Sequence, residues 1–100
     1  MDRYTIRVEL HDAGEEDYET LHGAMEEEGF THTIEAKDGT TYKLPSAEYN
    51  FEGEIEIGEV REKAKSAAAT TKRKYAILVS QVTSRLWFGL EEVYRSGEEL

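Results

Sequence analysis

Apolar and polar residues alternate strictly near the start of the chain. Between positions 4 and 10 every second residue is apolar, and these residues are Tyr4, Ile6, Val8 and Leu10. Alternation with a period of two is typical of a β-strand that has one buried and one solvated face. We therefore predict a strand over residues 4–10 that lies inside a sheet, with the remaining elements as its neighbours or its cover.

The spacing of apolar residues changes after this strand. Tyr18, Leu21, His22 and Met25 follow the i, i+3, i+4, i+7 pattern of a helix, on a segment that is otherwise acidic. Asp12 and the acidic residue three positions later resemble a capping box, and Gly29 is a typical helix stop. These features predict a helix from Glu15 to Glu28 with one apolar stripe.

A hairpin is predicted next. Residues 30–36 alternate again, and the Asp38-Gly39 pair favours a tight turn because glycine tolerates a positive φ. The partner strand is predicted over residues 41–44. Pro45 cannot donate to a sheet ladder and marks a bulge or the end of pairing, although alternation in residues 47–51 can continue the strand.

The second half of the chain predicts a loop, a helix and a strand. We expect a loop over residues 52–58, an alanine-rich helix over residues 59–70 and a well-buried strand over the very apolar residues 75–82. Residues 85–90 are apolar without a clear period and form a short strand or a turn, and residues 96–100 are expected to fray.

The predicted order of elements is β-α-β-β-α-β. This order is typical of an α+β, ferredoxin-like sandwich with an antiparallel sheet and two helices on one face. One hundred residues suffice for a single domain, which we assign to residues 1–100 with a core of about residues 3–90 and a C-terminal tail of about residues 91–100.

Composition restricts the classes of function. The chain has 12 Lys and Arg against 22 Asp and Glu, a formal net charge of −10, and no cysteine. Disulfides and thiolate metal sites are therefore excluded, and the charge argues against a general nucleic-acid binder. The sequence shows no apolar run of membrane-spanning length and no signal segment, so we expect a cytoplasmic protein without a membrane partner.

Asp12 is the first candidate for chemistry. It follows the first predicted strand, where a rigid element would hold a carboxylate open to solvent. Two such carboxylates from two subunits could share a Mg²⁺ ion, which prefers oxygen ligands and needs few protein groups. The alternative role for Asp12 is a helix N-cap.

The chain has three histidines, His11, His22 and His32. Histidine titrates near neutral pH, so His32 or His11 could act as a general acid or base. The alternative is a packed or surface histidine, and His22 beside the apolar helical stripe is expected at the boundary of the core. The sequence shows no Ser-His-Asp or Cys-His arrangement.

Cations occur in two places. Arg3 and Arg7 share the outer face of the first strand, and Lys43 joins them if the third strand pairs as predicted. Such a face could hold an RNA backbone, although Tyr4 and Tyr42 are predicted to point inward instead of stacking on bases. A solvated face or a face covered by a second subunit is the alternative.

The second group of cations is the run Lys72, Arg73 and Lys74, which either contributes to a groove that binds RNA or complements the C-terminal end of the second helix. Nearby, Trp87 and Phe88 either close the core or form an exposed anchor for a partner.

The chain resembles a known family. The run RYTIRVELHDAGEEDYETLHGAMEEEGF, then DGTTYKLPSAEYN, an alanine-rich helix and KYAILV resemble small bacterial and phage proteins of the GhoS-like group over about residues 3–90. GhoS-like proteins are antitoxins of type V toxin–antitoxin systems, have a Cas2-like ferredoxin fold and cleave toxin mRNA. The resemblance implies an endoribonuclease that acts on single-stranded RNA.

Two functional hypotheses follow. In the first, a homodimer binds RNA through Arg3, Arg7, Lys43, Lys72, Arg73 and Lys74, Asp12 holds Mg²⁺, and His32 or His11 transfers a proton. In the second, the protein is a non-catalytic acidic interaction or inhibitor protein, bacterial or phage-encoded, whose helix from Glu15 to Glu28 docks on a basic protein partner. In the second hypothesis, the affinity for the basic partner should fall steeply as the salt concentration rises.

Overall fold

The protein is a small α+β protein in its computed structural model, which describes residues 1–94. In this part of the chain there are two helices and two antiparallel three-stranded sheets. The elements are β1 Asp2–Leu10, α1 Glu15–Glu27, β2 Thr33–Glu35, β3 Thr41–Lys43, β4 Glu48–Gly53, α2 Ile57–Ala69, β5 Tyr75–Val82 and β6 Glu92–Tyr94.

The first sheet has the strand order β4-β1-β5. Strand β1 lies in its centre and pairs antiparallel with both neighbours, so that Ile6 stands opposite Tyr49 on β4 and Val79 on β5. The prediction that the strand over residues 4–10 lies inside a sheet is confirmed.

The alternation in β1 separates a core face from a solvated face. Tyr4, Ile6 and Val8 are fully buried, whereas Arg7 and Glu9, which alternate with buried residues, are exposed. The core they enter includes Leu21, Met25 and Phe30, together with Val60, Ala64, Ala67 and Ala68 of α2. Because alanine side chains are small, α2 can approach β1 closely, and the two helices cover the same face of the sheet.

The second sheet has the order β2-β3-β6. The hairpin between β2 and β3 turns at Asp38-Gly39, as predicted: Gly39 has a φ of 88°, and the Asp38 carboxylate accepts a hydrogen bond from the Thr40 N–H at 2.8 Å. Strand β6 was not predicted from the sequence.

The predicted single ferredoxin-like sheet is not confirmed, because the strands divide between two sheets. Pro45 lacks an N–H, and its carbonyl accepts from the Glu48 N–H at 2.9 Å, so the chain turns before β4 instead of extending β3. Residues 30–36 form one isolated bridge to β4, in which Thr31 and Asn50 exchange two backbone hydrogen bonds of 2.9 and 2.8 Å. The coarser prediction of an α+β protein with antiparallel strands holds.

The predicted strand over residues 75–82 is present, but the prediction that it is well buried is wrong. The strand forms, but it lies at the edge of the first sheet, and Leu78 is 64% exposed. Its apolar residues face both sides, whereas the helices cover one side. The continuous apolar run of residues 75–82 therefore predicted a strand buried on both sides, whereas the structure has an edge strand covered on one side.

Element boundaries differ in smaller ways. Helix α2 begins at Ile57, inside the predicted loop, and residues 85–90 form no strand. The predicted fraying of residues 96–100 lies outside the described residues.

Candidate functional site at the end of the central strand

A cleft of about 420 Å³ lies where the central strand ends. Both candidate residues that follow β1, His11 and Asp12, line it together with Arg7 of the strand. Its other lining residues are Glu9, Leu10, Tyr18 and Ala47.

Backbone hydrogen bonds hold the connection from β1 to α1 in place. The His11 N–H donates to the Lys74 carbonyl at 2.8 Å, and the Leu10 N–H donates to the Tyr18 hydroxyl at 3.1 Å. Asp12 then adopts a left-handed conformation with a φ of 51°. Short polar residues tolerate this region better than most, and the chain reverses here to enter the helix.

The alternative role of Asp12 as helix N-cap is wrong. Gly14 is the N-cap, and its N–H donates to the Asp17 carboxylate at 3.0 Å. The capping interaction thus starts two residues later than the pattern predicts. The Asp12 side chain is exposed, and no described residue forms a hydrogen bond or an ion pair with it.

Arg7 supplies the positive charge inside the cleft. Its guanidinium lies 3.3 Å from the Glu9 carboxylate and 4.0 Å from that of Glu48. The Arg7 side chain is 51% exposed, so both ion pairs are weak and the guanidinium can exchange partners.

The basic turn of residues 72–74 lies beside this cleft. Lys74 holds His11 through the backbone bond already described, and Arg73 Nε lies 3.0 Å from the Asp17 carboxylate. Lys72 has a φ of 62°, and it and Lys74 are exposed. The two groups of cations therefore meet in part, because Arg7 and the 72–74 turn flank His11 and Asp12.

His32 lies in a different cluster. Its ring packs against that of His22, tilted by 37° with centroids 4.4 Å apart, and its Nδ1 lies 3.0 Å from the Glu48 carbonyl oxygen. Nδ1 of His22 contacts the Tyr49 hydroxyl at 2.5 Å. The structure thus places His32 with the half-buried His22 of α1 and the buried Tyr49 of β4, apart from the residues that line the cleft.

Burial lowers the pKa of both clustered histidines. For His22, burial is the main cause, and the neighbouring His32 and Lys43 lower the pKa further. For His32, burial again dominates, the Glu48 carbonyl opposes it, and Lys43 adds to it. Burial also raises the pKa of Tyr49, so the cluster is a neutral packed unit near pH 7.

Arg3 and Lys43 are not part of the cleft. Arg3 lies near the opposite end of β1 and donates to the Thr83 carbonyl at 2.9 Å. Lys43 belongs to β3 in the second sheet, so the prediction that it shares the outer face of β1 is wrong. The cause is the turn after Pro45, which separates β3 from β4.

Two residues have contacts that the sequence did not indicate, Tyr18 in the cleft and Arg85 outside it. Tyr18 closes one side of the cleft, a position that its place in an apolar helical stripe conceals. Arg85 donates to the Asn50 side-chain oxygen at 2.8 Å and to the Thr5 hydroxyl at 3.3 Å, and burial lowers its pKa. The one sequence feature that could have indicated the role of Arg85 is its place as a cation at the start of the apolar run RLWFGL.

The two aromatic residues after Arg85 have different surroundings. Trp87 packs edge-on against Tyr42 with ring centroids 5.6 Å apart, whereas Phe88 is 99% exposed. Trp87 thus packs on Tyr42 of the second sheet and is not part of the buried core, and the predicted role of Phe88 as an exposed anchor stays a prediction.

The donor set fits a metal ion only incompletely. Asp12 offers the oxygen chemistry that Mg²⁺ prefers, but the described residues include no group of three or more histidine or acidic side chains that could hold a metal ion. Asp12 would therefore need a substrate phosphate or a second subunit to complete the coordination of Mg²⁺.

Comparisons with family models and with curated protein sequences give no match for this chain. The resemblance to GhoS-like antitoxins therefore stays a prediction. In the described part of the chain, neither helix has the length and apolar character needed to cross a membrane.

Proposed function

We propose that this protein is an endoribonuclease that acts on single-stranded RNA in the cytoplasm, as an antitoxin of the GhoS-like type. The observation that carries the proposal is the cleft at the end of β1. It brings together Arg7, His11 and Asp12, which were selected from the sequence for phosphate binding, proton transfer and metal binding. The exposed basic turn of residues 72–74 adds cations beside it.

The side chains of the cleft suit cleavage of an RNA phosphodiester. Arg7 can pair with a phosphate oxygen in exchange for its weak acidic partners. In the proposed reaction the ribose 2′-oxygen attacks phosphorus, its proton passes to the Asp12 carboxylate, and the bond from phosphorus to the 5′-oxygen breaks. Protonated His11 donates the proton that this leaving oxygen takes up, which gives a cyclic phosphate and a free 5′-hydroxyl.

Magnesium would act at the same residue. Asp12 would hold the ion, whose chemistry when bound is to neutralise charge on the phosphate. In that case Arg7 would still orient the phosphate, the Asp12 carboxylate would still take up the 2′ proton and His11 would still protonate the leaving oxygen.

The acidity of the rest of the surface restricts where RNA can bind. Helix α1 carries exposed glutamates and no lysine or arginine. These charges repel phosphate, so a strand of RNA is expected to approach through the end of β1 and the 72–74 turn. Binding should then be local and weak at high salt.

The test is cleavage of a mixed pool of single-stranded RNA by purified protein, with Mg²⁺ and with a chelator. We expect His11→Ala to lower the cleavage rate by at least about 100-fold, as removal of a general acid does. The matched control is His32→Gln, which changes a histidine outside the cleft and should retain cleavage. Equal activity of wild-type protein and folded His11→Ala would reject the proposed site.

A second function is favoured by a separate observation on α1. Five of its glutamates are exposed and have no ion pair with described residues: Glu15, Glu16, Glu19, Glu26 and Glu27. Such a face can dock on a basic protein surface, which would make the protein a non-catalytic interaction or inhibitor protein. Lack of RNA cleavage, together with binding of a basic protein that weakens steeply with salt, would favour this function.

A further inference from the structure

Strand β5 presents an unpaired edge. It is the last strand of the order β4-β1-β5, and no described strand pairs with its outer side. At eight residues this exposed edge strand is longer than the typical strand of about five or six, and natural proteins normally protect such edges with charges, prolines or a covering element.

The register shows which backbone groups lie along this edge. The His11 N–H donates to the Lys74 carbonyl, and residue pairs from Leu10↔Tyr75 to Arg3↔Val82 continue the same antiparallel register. Because hydrogen-bonded and non-hydrogen-bonded pairs alternate in an antiparallel ladder, the even-numbered residues of β5 bond to β1. The N–H and C=O groups of the odd-numbered residues point outward: Tyr75, Ile77, Val79 and Gln81.

Strand β5 itself carries no charged residue, although Arg61 of α2 lies beside it. Residues 75–84 contain no Asp, Glu, Lys or Arg, in a chain of which 34% is charged. Leu78 in the centre of the strand is 64% exposed. A shallow groove of about 240 Å³ runs along the strand and is lined by Ile57, Gly58, Arg61 and three residues of β5.

We propose that the β5 edge binds a second copy of this chain, with the two β5 strands antiparallel about a two-fold axis at Leu78. In this register Ile77 stands opposite the partner's Val79, and Tyr75 stands opposite the partner's Gln81. All eight outward backbone groups of each strand then find a partner. The β4-β1-β5 sheet of one copy then joins the same sheet of the partner into one sheet of six strands.

Side chains favour this self-pairing over an unrelated peptide. The strand is nearly symmetric about Leu78, with Ile77 and Val79 on either side and the small residues Ala76 and Ser80 beyond them. Leu78 of one copy faces the partner's Leu78 in a non-hydrogen-bonded pair, where side chains come closest and apolar contact stabilises most. Two subunits of charge −10 repel each other, and the uncharged β5 is a part of the surface where they can meet.

The first test is the mass of the full chain in solution, measured by sedimentation over a range of concentrations. We expect a dimer that Leu78→Lys weakens at least about tenfold, because two like charges then face each other across the axis. Phe88→Lys is the matched control, since it places the same charge on another exposed apolar residue outside β5. Mixing Leu78→Lys with Leu78→Glu should restore the dimer as a heterodimer.

A second test examines the register. The chain has no cysteine, so Leu78→Cys introduces a single thiol. Directly opposed residues in a non-hydrogen-bonded pair have Cα atoms about 4.5 Å apart, within the range that a disulfide spans. Mild oxidation should cross-link Leu78→Cys quantitatively and Phe88→Cys only slowly.

Two results would overturn the proposal. One is a monomer at every concentration up to roughly 1 mM, which corresponds to negligible affinity. The other is a dimer that Leu78→Lys leaves intact, whether or not Phe88→Lys abolishes it. The cleft at the end of β1 is not involved in these measurements, so RNA cleavage and dimerisation can fail independently.

Discussion

At the scale of single residues, the cluster of His22, His32 and Tyr49 shows how burial determines protonation. The two histidine rings are half-buried and in contact, and Lys43 adds positive charge nearby while Glu26 partly offsets it at His22. A proton on either ring would place a charge against the other ring and against Lys43. The folded protein therefore favours the neutral form of both histidines.

This cluster predicts a pH dependence of stability. Because both pKa values are lowered from the ordinary value of 6.5, the unfolded chain binds protons more readily than the folded chain. The free energy of unfolding should be highest above pH 6.5 and fall as the pH drops from 6.5 toward the lowered values. Urea denaturation between about pH 5.5 and 7 measures this slope, since histidine is the side chain that normally titrates there. A double variant, His22→Gln with His32→Gln, should flatten it, and an unchanged slope would contradict the explanation.

The Tyr49 hydroxyl predicts a second effect at this scale. Tyr49→Phe removes the partner of His22 Nδ1 and leaves a half-buried polar atom unsatisfied. The expected loss of unfolding free energy is about 1–2 kcal/mol. Tyr42→Phe is the control, because Tyr42 is half-buried and packs through its ring on Trp87. Equal losses in the two variants would show that the hydroxyl of Tyr49 has no specific role.

At the scale of elements, the start of α1 links the helix to the basic turn. The Asp17 carboxylate accepts from the Gly14 N–H and from Arg73 Nε, both at 3.0 Å. It therefore caps the helix and also fixes the 72–74 turn, which itself holds His11 through Lys74. A change at Asp17 should affect stability and the shape of the cleft together.

Asp17→Ala is expected to lower the free energy of unfolding by about 1 kcal/mol, the usual effect of losing a capping interaction. Glu16→Ala is the matched control on the same turn of helix, because Glu16 is exposed and pairs with no described cation. Chemical denaturation measures both variants. If Glu16→Ala costs as much as Asp17→Ala, the loss comes from general charge at the helix N-terminus.

Much of the element pattern could be predicted from local sequence. The alternation in β1 and the Asp38-Gly39 turn are local signals, and the structure confirms both. The apolar stripe of α1 correctly predicts the helix, although its cap lies at Gly14 instead of Asp12. The division into two sheets depends on how the chain turns after Pro45, which is a matter of tertiary packing that periodicity does not encode.

The candidate site was predictable only in part for the same reason. His11 and Asp12 are neighbours in sequence, so their place after β1 could be predicted together. The meeting of Arg7 with the 72–74 turn depends on the pairing of β1 with β5, and the separation of His32 depends on its packing against α1 and β4. The sequence composition predicted that α1 is acidic, but it could not predict which of its glutamates lack an ion pair with described residues.

At the scale of the whole molecule, charge and apolar surface are segregated. The chain has a net charge of −10, with acidic residues along α1, cations near the end of β1 and an uncharged edge at β5. Each surface then has its own dependence on salt. Docking of α1 on a basic protein and binding of RNA both weaken as salt rises, whereas contact between two acidic subunits at β5 strengthens.

Salt therefore gives a prediction for the dimer. Raising the NaCl concentration from about 50 to about 500 mM should tighten self-association several-fold, because it screens repulsion between the subunits. Sedimentation at both salt concentrations measures the change, with Leu78→Lys as a control that stays weakly associated in both. A dimer that dissociates at high salt would contradict an apolar interface at β5.

The most direct test of the functional account is an NMR titration of isotope-labelled protein with a short single-stranded RNA whose 2′-oxygens are methylated to prevent cleavage. We expect amide shifts to change at residues 7–12 and 72–74, while β2 and the outer face of α1 remain unchanged. Shifts confined to other surfaces, or no shift with RNA at roughly 1 mM, where even weak binding is detectable, would contradict an RNA site at the end of the central strand.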